Sequence, residues 1–294
     1  MRSLILFFSV LLAGTFTVPA EQILPDDFHS IPVLIKIPLH DNISEYGTGV
    51  FFVESNKLFL ITAAHVIFNF NSTNNLELNN STAKLSAFNK GKDSTDKNLI
   101  DLNLKMLLDE GFVKRHSTHD VAVIQLGIET PANTNGIKYV IWGKGVASYM
   151  NPAAKLVECS ATDVRYFKDI PDGNETYIFG YPVELLNSQV TLELNQVDFD
   201  SPLVRKGIIS QRNQQTGRLI IDSGVYGGNS GGPVVIVEHP TLDVTVYKIG
   251  GLITQFVPVS TKMFPQAGVT NSVFVNSGYG VAEPIDYAIE LMRE

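Results

Sequence analysis

Apolar residues along this chain gather into short runs of strand length, and Gly, Asn, Asp, Ser and Pro fill the intervals. Ile31–Ile37 is the first such run. Thr48–Val53 and Leu58–Thr62 flank Glu54-Ser55-Asn56-Lys57, and Asn in so short a connection predicts a hairpin turn. Val121–Leu126, Thr176–Phe179, Val190–Leu194, Arg218–Ile221, Val234–Val237, Val244–Ile249 and Leu252–Phe256 predict further strands. Helical spacing stands out at Pro284–Met292, where Ile285, Ala288, Ile289 and Met292 share one face of a terminal helix. Many short strands and few helical patterns predict an all-β sandwich or barrel. The stretch Asn69–Asn98 is rich in Asn, Ser, Thr and Lys and weakly periodic. It predicts a solvated surface insertion, partly ordered at Leu85–Phe88, since loops of this length are uncommon in compact domains.

The first twenty residues have a different pattern. Met1-Arg2 is a short basic start, Leu4–Ala13 is apolar, and Val18-Pro19-Ala20 offers a small residue at a cleavage site. The apolar run is too short to cross a bilayer, which takes about 20 residues. The expectation is a cleaved signal peptide, residues 1–20, and a secreted or periplasmic product with no membrane span. Removal leaves 294 − 20 = 274 residues, and the net charge of −8 becomes 21 − 30 = −9 with the loss of Arg2. That balance argues against a nucleic-acid partner, whose binding draws on Lys and Arg.

Cys159 is the only cysteine, so no intramolecular disulfide is possible. A chain of this size can bury enough core without one, which fits a bacterial exported protein. Cys159 lies in an apolar-alternating run and reads as a buried, inert thiol. The sequons at Asn42, Asn71, Asn80 and Asn174 read as chance matches in an Asn-rich chain. No His or Cys spacing resembles a zinc site, and no metal or cofactor is expected.

Three signals carry chemistry. In Gly228-Asn229-Ser230-Gly231-Gly232-Pro233, glycines let the backbone turn sharply and leave amides free. Ser230 is a candidate nucleophile, and the N–H groups of Gly228 and Ser230 are candidate donors to one carbonyl oxygen. Taken alone, the same residues also suit a plain turn before a strand. A phosphate loop fits less well, because no Lys-Ser/Thr follows and no helix pattern begins. Thr62-Ala63-Ala64-His65 ends a strand in small residues, which turns the His65 imidazole toward a cleft as a general base. Asp120 precedes the apolar run Val121–Ile124, a setting that shields a carboxylate able to orient His65. His116 and His119 lie in a polar run and read as solvated.

The order His65, Asp120, Ser230 resembles that of the chymotrypsin/trypsin clan of serine proteases. Gly47–Phe51, Leu60–Val66, Ile178–Pro182 and Gly228–Pro233 are similar to stretches of bacterial trypsin-like proteases, including the protease domain of the high-temperature-requirement group. The resemblance implies two perpendicular antiparallel β-barrels with the triad between them, here residues 21–150 with His65 and Asp120, and 151–294 with Ser230 and the terminal helix. It implies a serine endopeptidase acting on polypeptide through an acyl-enzyme. Only 64 residues follow Ser230, so a PDZ domain like that of the high-temperature-requirement proteins is not expected. Asn229 stands where many trypsin-like zymogens carry Asp, so no activating ion pair with a new N-terminus is expected.

By the same resemblance, the pocket for the residue before the scissile bond is walled by Asp222–Gly227, with Gly224, Val225 and Tyr226, and by Thr254, Gln255 and Phe256. Gly224 at the floor implies a preference for small or medium apolar residues. Asp222 keeps a Lys/Arg alternative open. Thr254 is expected near Asp120. A non-catalytic binding protein on the same scaffold, and a restricted processing protease or esterase, are the competing functions.

Overall fold

The structure is a computed structural model that describes residues 25–39, 43–69, 77–88, 97–131, 140–149, 156–183, 201–241, 243–263 and 271–294. The expected signal peptide, the strand at Val190–Leu194 and the sequons at Asn42 and Asn71 lie outside the described residues.

The first half is a ten-stranded sheet made of β1 (Pro32–Pro38), β2 (Ser44–Glu54), β3 (Lys57–Thr62), β4 (Thr82–Phe88), β5 (Lys97–Asn103), β6 (Val113–Arg115), β7 (Ala122–Glu129), β8 (Val140–Trp142), β9 (Val146–Ser148) and β10 (Glu158–Ser160). Its main path runs β6-β7-β3-β2-β1-β4-β5-β9, with β8 on β7 and β10 parallel to β2. The two ends of that path do not pair directly. One segment bridges its flanks: β8 pairs with β7, a short turn follows, and β9 pairs with β5. Helix α2 (Leu104–Asp109), capped by the Asn103 side chain, adds Leu104 and Leu107 to the apolar interior there.

The turn between β2 and β3 is as the sequence predicts. Ser55 and Asn56 both have positive φ, the conformation of a two-residue hairpin turn. Asn69–Asn98 departs from expectation. Thr82–Phe88 is not a surface insertion but strand β4, paired on both sides with β1 and β5. Ala83, Leu85 and Ala87 face the core and the residues between them face out. Two alanines among Lys, Ser and Thr make this alternation faint in sequence, yet small residues fit a closely packed sheet face.

The second half is a closed barrel in the order β11-β12-β13-β16-β15-β14: β11 (Glu175–Gly180), β12 (Leu203–Asn213), β13 (Arg218–Asp222), β14 (Pro233–Thr241), β15 (Val244–Met263) and β16 (Asn271–Pro284). The two strands expected at Val244–Ile249 and Leu252–Phe256 are one strand. Gly250 and Gly251 do not break it; they let it press close. A Cβ on Gly250 would fall 2.6 Å from Ile236, and one on Gly251 2.7 Å from the Glu283 carbonyl.

The halves interlock beyond the 150/151 division. Strand β10 belongs to the first sheet. Helix α3 (Asp286–Arg293) buries Ala288, Ile289, Leu291 and Met292 in a core shared with Val50, Phe52, Ile61, Val121 and Val123 of the first half. Cys159 is buried in the same core, and burial pushes its thiol pKa up.

Candidate active site

Register brings the first two candidate residues together. Strands β3 and β7 are antiparallel, with Thr62 opposite Ala122. The chain leaving β3 therefore passes the chain entering β7. Beyond Thr62 it forms the one-turn helix α1 (Ala64–Ile67), which carries His65. Asp120 meets it with its backbone and both carboxylate oxygens. Its carbonyl accepts from Ala64 N–H at 3.2 Å, Oδ1 from His65 N–H at 2.9 Å, and Oδ2 lies 2.6 Å from His65 Nδ1. A carboxylate only accepts, so Nδ1 carries the proton and Nε2 is left with a lone pair. That Nε2 lies 2.8 Å from Ser230 Oγ. The His65 side chain is 38% exposed and that of Asp120 21%, so the ring is open to a ligand and the carboxylate is more covered. Asn79 holds the helix from the other side, donating from Nδ2 to the carbonyls of His65 and Val66.

Ser230 is placed by glycines. Gly228 and Gly231 have φ of 96° and 83°. A Cβ on Gly228 would fall 2.1 Å from the Tyr181 carbonyl oxygen, and one on Gly231 2.0 Å from that of Thr48. Neither site admits a side chain. Thr48 joins this loop to the first half: its N–H donates to the Ser230 carbonyl at 2.7 Å and its Oγ1 to the Gly228 carbonyl at 2.7 Å. Gly231 N–H donates to Ile253 O at 2.6 Å, so the loop also rides on β15. Among the described residues, the N–H groups of Gly228 and Ser230 donate to no acceptor. Asn229 is buried, and its Oδ1 has no partner among the described residues. A cavity of about 570 Å³ opens beside Ser230, lined among others by Glu45, Tyr46, His65, Phe68 and Gly228.

The candidate recognition residues lie on the second barrel. Gly224 accepts at its carbonyl from Arg205, whose guanidinium carbon sits 4.3 Å from the centre of the Tyr226 ring. Val225 is buried, and a Cβ on Gly280 would fall 2.5 Å from it. Gln255 and Phe256 are exposed on β15. Asp222 is exposed, whereas its neighbour Ile221 enters the barrel core. Thr254, expected near Asp120, is buried and donates to the Val281 carbonyl at 3.4 Å across the pairing of β15 with β16.

His116 and His119 are not solvated. Their side chains are 16% and 15% exposed. His119 stacks on Tyr287, with ring centres 3.6 Å apart, and its Nδ1 lies 2.7 Å from Glu283 Oε2. Glu283 is fully buried; its Oε1 accepts from Arg218 Nε at 2.8 Å and from Asp120 N–H at 3.4 Å. The polar run around His119 concealed this, because its partners come from the far end of the chain. Thr48, Asn79, Arg205 and Glu283 were missed by sequence reasoning. Only Thr48, between two glycines, had a local signal.

A Ser–His–Asp line between a mostly antiparallel sheet and a closed barrel is one of the settings in which serine peptidases occur. Residues 47–239 match the family described as trypsin-like peptidase domain, and the chain belongs to that family. No curated protein matches it. Among solved structures it is similar to a serine endoprotease from Yersinia pestis, at 14% identity over 92% of this chain and 67% of the other, TM-score 0.48. It is also similar to the protease Anisep from Arthrobacter nicotinovorans, at 13% identity over 87% and 90%, TM-score 0.43.

Proposed function

We propose that this chain is an exported serine endopeptidase with Ser230 as nucleophile, His65 as general acid–base and Asp120 as the group that orients it. The observation that carries this reading is the unbroken hydrogen-bond line from Asp120 Oδ2 through the His65 ring to Ser230 Oγ, at 2.6 and 2.8 Å. Ser230 Oγ attacks the substrate carbonyl carbon while its proton passes to His65 Nε2. The tetrahedral oxyanion accepts from the N–H groups of Gly228 and Ser230. His65 then gives the proton to the leaving amine, the C–N bond breaks, and an acyl ester remains on Ser230. A water molecule repeats the sequence and releases the acid. Each oxyanion donor supports the step by about 2.7–4 kcal/mol. Asp222 is exposed, which argues against a pocket built for Lys or Arg. Export is supported by the basic, apolar and small-residue pattern of residues 1–20.

The test is covalent labelling with a tagged fluorophosphonate. We expect the purified protein to label and Ser230→Ala not to. Equal labelling of both would place the reactive nucleophile elsewhere and remove Ser230 from the role; no labelling of either would favour a binding protein on a peptidase scaffold.

A further inference from the structure

The second barrel places a positive charge where its pattern calls for an apolar residue. Arg205 on β12 lies directly opposite Ile178 on β11. Residues paired across two strands share a face, as do residues four apart along one strand. Ile178 and Ile209, four positions after Arg205, both belong to the barrel core. Arg205 therefore points inward, while the next residue, Lys206, faces out and pairs with Glu175 at 3.0 Å. The half-buried guanidinium does not return to solvent. It rests on the Tyr226 ring and donates one N–H to the Gly224 carbonyl. Burial lowers its pKa, and Tyr226 only partly offsets this.

An inward arginine is normally matched by a carboxylate, because a desolvated, unpaired charge is costly. Among the described residues Arg205 has no such partner. Of the nearby acids, Glu175 is engaged by Lys206 on the outer face and Asp222 is exposed. A guanidinium has five N–H donors in a planar fork, and one of them reaches Gly224. The rest form half of a carboxylate site.

The position of that half-site gives it meaning. Gly224–Tyr226 runs straight into Gly228 and Ser230, and Ile253, which leads into Thr254–Phe256, is hydrogen-bonded to Gly231 and Gly232. A peptide carbonyl seated on the Gly228 and Ser230 amides has its own side chain beside these two segments. Arg205 lies against the first of them.

We propose that Arg205 is the specificity-determining residue of this site and that the enzyme cleaves after Glu or Asp. The substrate carboxylate completes the guanidinium pair in a charge-assisted contact with its planar fork. This replaces the apolar preference implied by Gly224 alone, and it rests on the serine-peptidase reading.

The test uses three peptidyl diphenyl phosphonates that differ in the side chain next to phosphorus: Glu, Val or Lys. Ser230 Oγ attacks phosphorus, a P–O bond forms, phenoxide leaves, and the labelling rate reads the pocket directly. A generic fluorophosphonate, run in parallel, reads the nucleophile alone. In wild type we expect the Glu reagent to label roughly ten- to hundredfold faster than the others. In Arg205→Gln that advantage should vanish while generic labelling persists; Arg205→Lys, which keeps the charge without the fork, should retain part of it. Generic labelling without a Glu advantage overturns the assignment of Arg205, as does an advantage that survives R205Q. Loss of generic labelling in R205Q while R205K keeps it at the wild-type rate, with no Glu advantage, also overturns the assignment, making Arg205 a structural cation. Failure of generic labelling in wild type overturns the peptidase reading itself.

Discussion

The two halves of the molecule hold their share of the site by opposite means. In the first half, His65 and Asp120 are neighbours because the pairing of β3 with β7 sets Thr62 opposite Ala122; each lies a few residues beyond that pair, and several hydrogen bonds lock them. In the second half, Ser230 stands where it does because atoms are missing on either side of it. Gly228 and Gly231 are in contact with carbonyl oxygens at distances no Cβ could share. A position set by register is shared among many bonds and tolerates small changes. A position set by missing atoms tolerates none.

The largest effect should come from Ser230→Ala, which removes the nucleophile; peptidase turnover should fall by about 10⁶-fold with little change in melting temperature. Asp120→Asn leaves the shape but favours the wrong imidazole tautomer, and kcat should fall by roughly 10⁴-fold. Gly231→Ala tests the comparison directly. It should abolish fluorophosphonate labelling and lower stability by about 3 kcal/mol or more, read by denaturant titration. Gly111→Ala is its control in the first half. Gly111 also has positive φ, at 77°, but open space around it, so only backbone strain of about 1 kcal/mol and no change in labelling should result. If the two glycine variants behave alike, the contrast between the halves fails. Glu283→Gln weakens the charged contacts to Arg218 and His119 behind Asp120. We expect a fall in kcat of about tenfold or less, with KM unchanged. The smallest effect concerns Cys159: buried, with its thiol pKa raised, it should resist alkylation until the protein unfolds.

What was legible in the sequence follows the same division. Strands with strong apolar runs, the hairpin at Ser55-Asn56 and the spacing of α3 could be read directly, because each is a local pattern. The three candidate residues could be picked out because the glycine loop, the small residues before His65 and the apolar run after Asp120 are local patterns as well. Strand β4 was not, since alanines carry little contrast against Lys and Ser. Nor were Arg205 and Glu283. A charge inside a barrel looks like a surface charge until strand pairing shows which way it faces, and both depend on partners far away in the chain. The polar run His116–His119 misled for that reason.

Helix α3 has a consequence for how the protein comes into being. Its apolar face fills the floor beneath Val121 and Val123, next to Asp120, and Lys114 donates to its Leu291 carbonyl. Chains leave the ribosome from the N-terminus at roughly 5–20 residues per second, and early segments usually fold first. Here one face of the early half, with Val50, Phe52, Ile61, Val121 and Val123, waits for its cover, because the helix that packs on it is made after everything else described. The face behind Asp120 is therefore closed only once synthesis has passed Met292, and the last residues made finish a surface begun by the earliest strands.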